Sequence, residues 1–402
     1  MSVVKIENSI LRGRVTVPAS KSVAHRAMIC SFLAGGGNVS PLVSSKDMQA
    51  TAQAIGSLKN GGDVCDCIES GSTLRFMIPV AAALGKTVTF VGNGKLPNRP
   101  IGDYLRLLPQ HGVTCESEGG LPLKISGKLT AGTFEIAGNV SSQYITGLML
   151  ALPVLDGDSE IVLTTPLQSK PCVDMTVDVL KRYGVDVAET ERGYFVRGNQ
   201  RFTVQDFMVE GDWSQAAFFL AAGAIGGDVT VDGLNIGSTQ GDKRVIEVIK
   251  KFGANVTVTK KSVHAEKSAL CGITLDAADI PDMVPTVAVL AAFASGTTVI
   301  KGAERLRYKE SDRIESVVVN LKKMGVDVTE TPDGMIINGS AVHGADLDGY
   351  NDHRIVMAFS VAGLFANGVT TITDCESINK SYPDFFEDYN RIGGKANVIV
   401  LE

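Results

Sequence analysis

The seven residues from Arg307 to Arg313, RYKESDR, hold five charged side chains in a chain that is only 20% charged. A Ser in the middle, followed by Ile314, Val317, Val318 and Leu321 at helical spacing, predicts a helix with Ser311 as its N-cap. Lys309 then stands just outside the cap and Arg313 inside the first turn. That turn carries the positive end of the helix dipole and ordinarily attracts acids, so cations there imply an absent anion. PASKSVAHRAM repeats the pattern with Ser20 as cap, Lys21 first in the helix and Arg26 a turn later. ESGSTLRFM has Ser70 or Ser72 before Arg75, and YNDHRIVM has Asn351 or Asp352 before Arg354. One such cation reads equally well as a solvated or acid-paired surface group, but four in one chain point to anion sites built from helix N-termini with Arg and Lys. Arg99 in LPNRPIGDYL and Lys380 in SINKSYPDFF, each ahead of a Pro-initiated helix, extend the set. Arg offers a planar fork to carboxylate or phosphate and Lys a mobile point charge, which suits small ligands carrying several anionic groups.

Familiar phosphate motifs do not account for these cations. GKT at Gly85 to Thr87 has Val80 where a P-loop needs its first Gly, and GNGK at Gly92 to Lys95 opens no helix. A net charge of −6 argues against general nucleic-acid binding while leaving room for a local basic pocket. The longest apolar runs, such as FFLAAGAIG, are too short to span a membrane, and MSVVKIENSI has no signal-peptide pattern. Seven Cys without a paired framework suit a reducing compartment, so a cytoplasmic protein is expected. Cys65 and Cys67 in CDC are one residue apart where zinc motifs have two to four, and they read as part of a strand, with no metal expected.

The elements that must hold these cations show themselves as a repeat. A helix tail, a Gly and an alternating strand recur in LPQHGVTCES, LKRYGVDVAET, IKKFGANVTVT and LKKMGVDVTET, at Gly112, Gly184, Gly253 and Gly325. A second series places an apolar helix before Gly85, Gly157, Gly227, Gly296 and Gly368, each followed by a strand. Both series have a period near 70, so the repeating unit contains two helices and several short strands, present in five to six copies over 402 residues. Left-handed helix C-caps explain the glycines. TLRFMIPVAAAL, SQAAFFLAAGAI, VPTVAVLAAFA and RIVMAFSVAGLFA are apolar all round and should be buried, whereas VIEVIKKF and IESVVVNLKKM are amphipathic and should lie outside them against a sheet. At this length and 44% hydrophobic content, two domains are expected.

PASKSVAHR, SGSTLR, LPNRPIG, SSQYITGLM, SKPCVDMT, EGDWSQAAFFLAA, QGD, IPDM, RYKESDR, YNDHR and INKSYPDFF, in that order, resemble the EPSP synthase family of enolpyruvyl transferases along essentially the whole chain. The resemblance implies transfer of the enolpyruvyl group of phosphoenolpyruvate to the 5-hydroxyl of shikimate 3-phosphate, with release of phosphate. It implies an α/β fold, a two-domain inside-out α/β barrel in which each domain has three repeated units of mixed strands and two helices. Residues 1–18 with 211–402 would form one domain and 19–210 an inserted one, with hinges near 19–21 and 209–212. The active site would lie in the interdomain cleft, open when free and closed when both ligands are bound. No cofactor, metal, nucleic acid or membrane is implied, and the chain should act as a monomer.

Matched residue by residue, the family pattern gives phosphoenolpyruvate to Lys21, Gly71, Arg75, Arg99, Gln143, Lys309, Arg313, Arg354 and Lys380. Shikimate 3-phosphate falls to Lys21, Ser22, Arg26, Ser141, Ser142, Gln143, Ser169, Asp282 and Lys309. Asp282 and Glu310 match an acid and base pair, Lys21 reaches both substrates and joins them as catalytic, and Asp47 matches an acid near the phosphoenolpyruvate site. Adding a hydroxyl across an enol ether requires the oxygen to lose a proton and the methylene carbon to gain one, and eliminating phosphate requires the carbon proton back. Asp282 suits the first task and Glu310 the other two, although Glu310 also reads as an ion-pair partner of Lys309 or Arg313 and Asp282 as a helix N-cap. His25 and His353, each beside an Arg at a helix start, read as neutral donors or caps. Glu69 stands where relatives often carry Asn, and Cys172 where they often carry Tyr. A UDP-N-acetylglucosamine enolpyruvyl transferase is the nearest alternative, but LPNRPIG lacks the preceding GGC loop of that branch; a non-catalytic binder of phosphorylated metabolites would keep the Arg set without needing Asp282 and Glu310.

Overall fold

The repeat in the sequence becomes one strand arrangement used five times. In the computed structural model, which describes residues 2–400, Thr274–Asp276 lies parallel to Thr297–Lys301, which lies antiparallel to Gly334–Asn338, which in turn pairs with Asp327–Thr331. Val64–Asp66, Val88–Val91, Leu123–Gly127 and Val113–Glu116 follow the same order, as do Thr133–Ile136, Ser159–Leu163, Gly193–Val196 and Val187–Thr190. Arg12–Thr16, Asp228–Asp232, Ser262–Glu266 and Asn255–Val258 make a fourth such sheet. The fifth joins Asp346–Leu347 and Thr370–Thr373 to the two terminal strands Ser2–Ile6 and Ala396–Val400.

The sixth copy is reduced to a parallel pair, Val39–Ser40 with Phe207–Met208. This departs from the expected set of equal units, and the reason is length. Only Asn60, Gly61, Gly62 and Asp63 separate the helix ending at Lys59 from the strand beginning at Val64, enough for a turn but not for the hairpin found at this point in the other copies.

Two compact units result, one comprising the residues up to Pro18 and those from Glu210 onward, the other Ala19–Val209. Both crossings fall at the same step of the repeat. Arg12–Thr16 pairs within the first unit but feeds a helix of the second, Lys21–Ala34, while Phe207–Met208 pairs within the second but feeds a helix of the first, Trp213–Gly226. Each unit has its own hydrophobic core.

In the first unit the helices Trp213–Gly226, Val284–Ala292 and His353–Phe365 touch one another and carry the sheets on their outer sides, an inside-out arrangement. All nine residues of Val284–Ala292 are buried, as the all-round apolar pattern required. In the second unit Gly71–Ala83 packs along Ser142–Ala151 in the same role. Eight of the nine repeat glycines have φ between 65° and 112°, the left-handed conformation expected of them. Gly227 is the exception, extended at φ −99°, and there glycine is needed for space: a Cβ would stand 2.7 Å from the Leu11 carbonyl oxygen.

Candidate functional site

The expected site residues divide between the two units, and within each they gather at helix starts. In the unit Ala19–Val209, Ser20 caps Lys21–Ala34 by accepting from Val23 N at 3.5 Å, and no acid occupies that first turn. Lys21 Nζ lies 2.8 Å from Asp47 Oδ2, so the lysine is held by one carboxylate at the edge of the helix start. Arg26 is buried and meets neutral acceptors: Nε donates to Thr176 Oγ1 at 2.8 Å, Nη1 to the Ser22 carbonyl at 2.6 Å, and Nη2 to the Cys172 carbonyl at 3.0 Å and Thr146 Oγ1 at 3.4 Å. Burial lowers its pKa to about 10. Most of its donors are thus used internally, which fixes the end of Lys21–Ala34 against the helix Lys170–Arg182. Burial, and then the charges of Lys21 and Arg26, keep the His25 imidazole neutral, with Nδ1 2.7 Å from Thr51 Oγ1.

Ser70 caps Gly71–Ala83, accepting from Thr73 N at 3.2 Å. Two guanidinium groups converge on the first residue of that helix. A Cβ on Gly71 would stand 2.5 Å from Arg99 Nη1 and 3.1 Å from Arg75 Nη1, so glycine leaves the opening that both share. Arg75 is buried, donating from Nη1 to Gln143 Oε1 at 2.7 Å and from Nη2 to the Pro100 carbonyl at 2.9 Å, while its Nε finds no hydrogen-bond partner among the described residues. Gln143 Nε2 in turn donates to Ser72 Oγ at 3.0 Å. Arg99 is extended at φ −74° and ψ 142°, as a residue before Pro must be. The Glu69 carboxylate runs alongside the Gly94 turn. Ser141 caps Ser142–Ala151. Ser169, buried at the N-cap of Lys170–Arg182, is held at φ 55° without a side-chain cap bond, a strained conformation for a non-glycine residue.

In the other unit Arg313 is the centre. Its guanidinium, 1% exposed, donates from Nε to Asp352 Oδ2 at 2.7 Å, from Nη1 to Asp282 Oδ1 at 2.8 Å and from Nη2 to Glu310 Oε2 at 2.8 Å. Burial works to lower the Arg313 pKa, but Asp352, Glu310 and Asp282 outweigh it and raise the value, so the group stays charged. Asp282 also lies 3.6 Å from Lys309 Nζ and 3.4 Å from Arg354 Nη2. It sits in the turn Pro281–Met283, and Met283 holds the N-cap position of Val284–Ala292, so the N-cap alternative for Asp282 is not realised; the ion-pair alternative for Glu310 is. Arg354 Nη2 reaches Ser214 Oγ at 3.2 Å, and Lys380, buried, donates to the Asn351 carbonyl at 2.7 Å.

One expected cap is wrong. Asp312, not Ser311, caps Arg313–Lys323, accepting from Ile314 N and Glu315 N at 3.1 Å each. Ser311 points inward and donates to Asp352 Oδ2 at 3.0 Å. Asp352 is itself the cap of His353–Phe365, accepting from Arg354 N at 3.0 Å, after Tyr350 and Asn351 in successive left-handed conformations.

Asp242, in the turn Gly241–Arg244, closes the QGD segment of the family pattern, which gives it no role, yet burial, and then the neighbouring Asp282 charge, push its carboxyl up to about 7. Asp212 adds to the push, while Arg354 and Lys309 pull the other way. An Asp whose folded pKa lies above its ordinary 3.8 binds more protons folded than unfolded. Its stabilising contribution is therefore present in acid and is lost as pH climbs from about 4 through about 7. Asp242→Asn should then gain melting temperature relative to the unsubstituted protein as pH rises across that window and hold the gain above it. Thermal unfolding curves that keep a constant separation from pH 4 to 8 would contradict this.

Comparison with known proteins gives a family and a fold. The family model described as EPSP synthase (3-phosphoshikimate 1-carboxyvinyltransferase) matches residues 6–62 and 55–389. The 3-phosphoshikimate 1-carboxyvinyltransferase of Clostridium novyi is 43% identical, covering 98% of each chain. Among solved structures, an EPSP synthase from Acinetobacter baumannii is similar over the full length of both chains with a TM-score of 0.82 at 28% identity. The enolpyruvyl transferase NikO from Streptomyces tendae shares the fold, with a TM-score of 0.82 at 17% identity over 100% of this chain and 99% of that one.

Proposed function

The chain belongs to the EPSP synthase family, and from that membership we infer that it transfers the enolpyruvyl group of phosphoenolpyruvate to the 5-hydroxyl of shikimate 3-phosphate, a step of the shikimate pathway to the aromatic amino acids. The observation that carries this reading is likeness over 98% of the chain to a transferase of that name. Among the described residues no helix is long and apolar enough to cross a membrane. We place the protein in the cytoplasm, acting as a monomer on these small molecules and not on nucleic acid.

In this reading Arg75 and Arg99 at the Gly71 helix start, with Lys309, Arg313, Arg354 and Lys380, hold the phosphate and carboxylate of phosphoenolpyruvate, and Gln143 supports them. Ser22, Ser141, Ser142 and Ser169 take shikimate 3-phosphate, with Arg26 fixing the helix that presents Ser22. Lys21 serves both ligands once an incoming anion competes with Asp47 for its ammonium. Asp282 accepts the proton of the 5-hydroxyl as that oxygen bonds to the central carbon of phosphoenolpyruvate, and Glu310 delivers a proton to the methylene carbon. A tetrahedral intermediate results. Glu310 then takes a proton back from the new methyl group, the carbon–oxygen bond to phosphate breaks, and Asp282 passes its proton to the departing phosphate. What supports these two roles is their common partner: Arg313 holds both carboxylates at 2.8 Å, one on each Nη nitrogen.

The purified protein, given phosphoenolpyruvate and shikimate 3-phosphate together, should release inorganic phosphate, and neither substrate alone should suffice. Release with UDP-N-acetylglucosamine in place of shikimate 3-phosphate, and none with the latter, would overturn the assignment in favour of the sugar-nucleotide branch. Binding of both ligands without release would reduce the chain to a binder.

A further inference from the structure

Arg75 and Arg99 present a physical problem that the ligands alone do not solve. Two like charges approach one point at the Gly71 helix start, and the nearer of them to the core, Arg75, is buried with its pKa lowered by burial and then by Arg99. The Arg75 side chain is held by a carbonyl, an amide and Tyr144, which meets it with both ring face and hydroxyl. Its Nη2 donates to the Pro100 carbonyl at 2.9 Å, its Nη1 to Gln143 Oε1 at 2.7 Å, and its guanidinium carbon lies 5.4 Å from the centre of the Tyr144 ring. The Tyr144 hydroxyl donates to the same Pro100 carbonyl oxygen that Arg75 uses. Tyr144 is fixed in turn by Tyr104, whose ring meets it edge to face at 4.8 Å and whose hydroxyl lies 2.7 Å from the Arg75 carbonyl and 3.0 Å from the Tyr144 carbonyl.

We propose that Tyr144 is a positioning residue for the phosphoenolpyruvate site, its hydroxyl fixing the Pro100 carbonyl against which Arg75 is aimed, so that Arg75 and Arg99 stand side by side before any anion arrives. Pro100 directly follows Arg99, so one hydroxyl sets the chain direction at Arg99 and the hydrogen-bond target of Arg75 together. Preformed cation pairs spare the ligand the cost of assembling them, and the gain falls on the ligand that they grip. The assignment rests on the function inferred above.

Tyr144→Phe removes the hydroxyl and keeps the ring against the guanidinium. A net hydrogen bond of ordinary strength corresponds to roughly a three- to tenfold change in an equilibrium. The variant should therefore raise KM for phosphoenolpyruvate about three- to tenfold while leaving kcat and KM for shikimate 3-phosphate within about twofold. Tyr389→Phe, which loses a buried bond to the Ser360 carbonyl in the other unit, serves as the structural comparator: it should lower the melting temperature without that selective rise in KM. An unchanged KM for phosphoenolpyruvate in Tyr144→Phe overturns the proposal, and so does a change in all three constants in step with lost thermal stability. Turnover by the unsubstituted protein is measured first. Its absence would retire the functional reading and this assignment with it, whereas normal turnover with an indifferent Tyr144→Phe retires the assignment alone.

Discussion

Asp282→Asn should lower kcat for phosphate release by about 10² to 10⁴, the range typical of a positioned general base, while KM for the two phosphorylated substrates holds or falls. The first half of this expectation follows from the role: Asn has nearly the shape of Asp but cannot take the hydroxyl proton. The second half follows from the surroundings. Asp282 lies within 4 Å of Arg313, Lys309 and Arg354, so neutralising it leaves three cations with one carboxylate fewer among them. Anionic ligands then meet a more positive site. A residue whose duty was only to orient those cations would behave in the opposite way when replaced, with KM rising and kcat largely kept. Steady-state measurement of phosphate release, varying each substrate at saturating levels of the other, separates the two patterns, and a kcat within tenfold of the unsubstituted protein would remove Asp282 from the chemistry.

The parts of the molecule that obey local rules were legible in the sequence. Strict spacing of Gly85, Gly157, Gly296 and Gly368, each in the left-handed conformation, reflects a requirement that any helix ending in this way shares. All-round apolar helices are buried because nothing else accommodates them, and the chemistry of a few consecutive residues fixed the cap at Ser20 and narrowed two others to Ser70 or Ser72 and Asn351 or Asp352, which the fold resolves to Ser70 and Asp352. Where a distant group competes for a side chain, the sequence is silent. Ser311 and Asp312 are adjacent and both are good caps, and what decides between them is Asp352, forty-one residues away, which draws Ser311 inward. The missing hairpin of the sixth repeat depends on the length of the connection from Lys59 to Val64, a detail that the glycine period does not register. The QGD segment marks Asp242 but not its perturbed carboxyl, which burial, Asp282 and Asp212 raise against the pull of Arg354 and Lys309, groups from separate segments of the chain. The cations at helix starts were legible because each breaks a local rule. Their partners were not, because those are supplied by the fold.

Replacing Arg313 with Met should destabilise the protein by about 3–5 kcal/mol, the usual consequence of removing one member of a buried ion pair, with a fall in melting temperature of roughly 10 °C for a unit of this size. Asp352 explains the magnitude. It is fully buried, and Arg313 gives its carboxylate two charge-assisted hydrogen bonds, from Nε at 2.7 Å and from Nη2 at 3.3 Å. Ser311 Oγ at 3.0 Å and Arg354 N at 3.0 Å would remain, which satisfies lone pairs without neutralising the charge. Glu310 and Asp282 would lose their 2.8 Å partner at the same time. If the buried charge is the main cost, adding Asp352→Asn to Arg313→Met should restore part of the lost stability, because an amide can keep the cap bond from Arg354 N through its oxygen while its NH2 donates to Ser311 Oγ. If the cost comes instead from lost packing of the Arg side chain, the second substitution should add to the damage. Chemical denaturation of the single and double variants measures the coupling directly. Activity should stay lost in both, because the guanidinium that balances Asp352 is also the one that orients Asp282 and Glu310, and no rescue of the fold replaces it there.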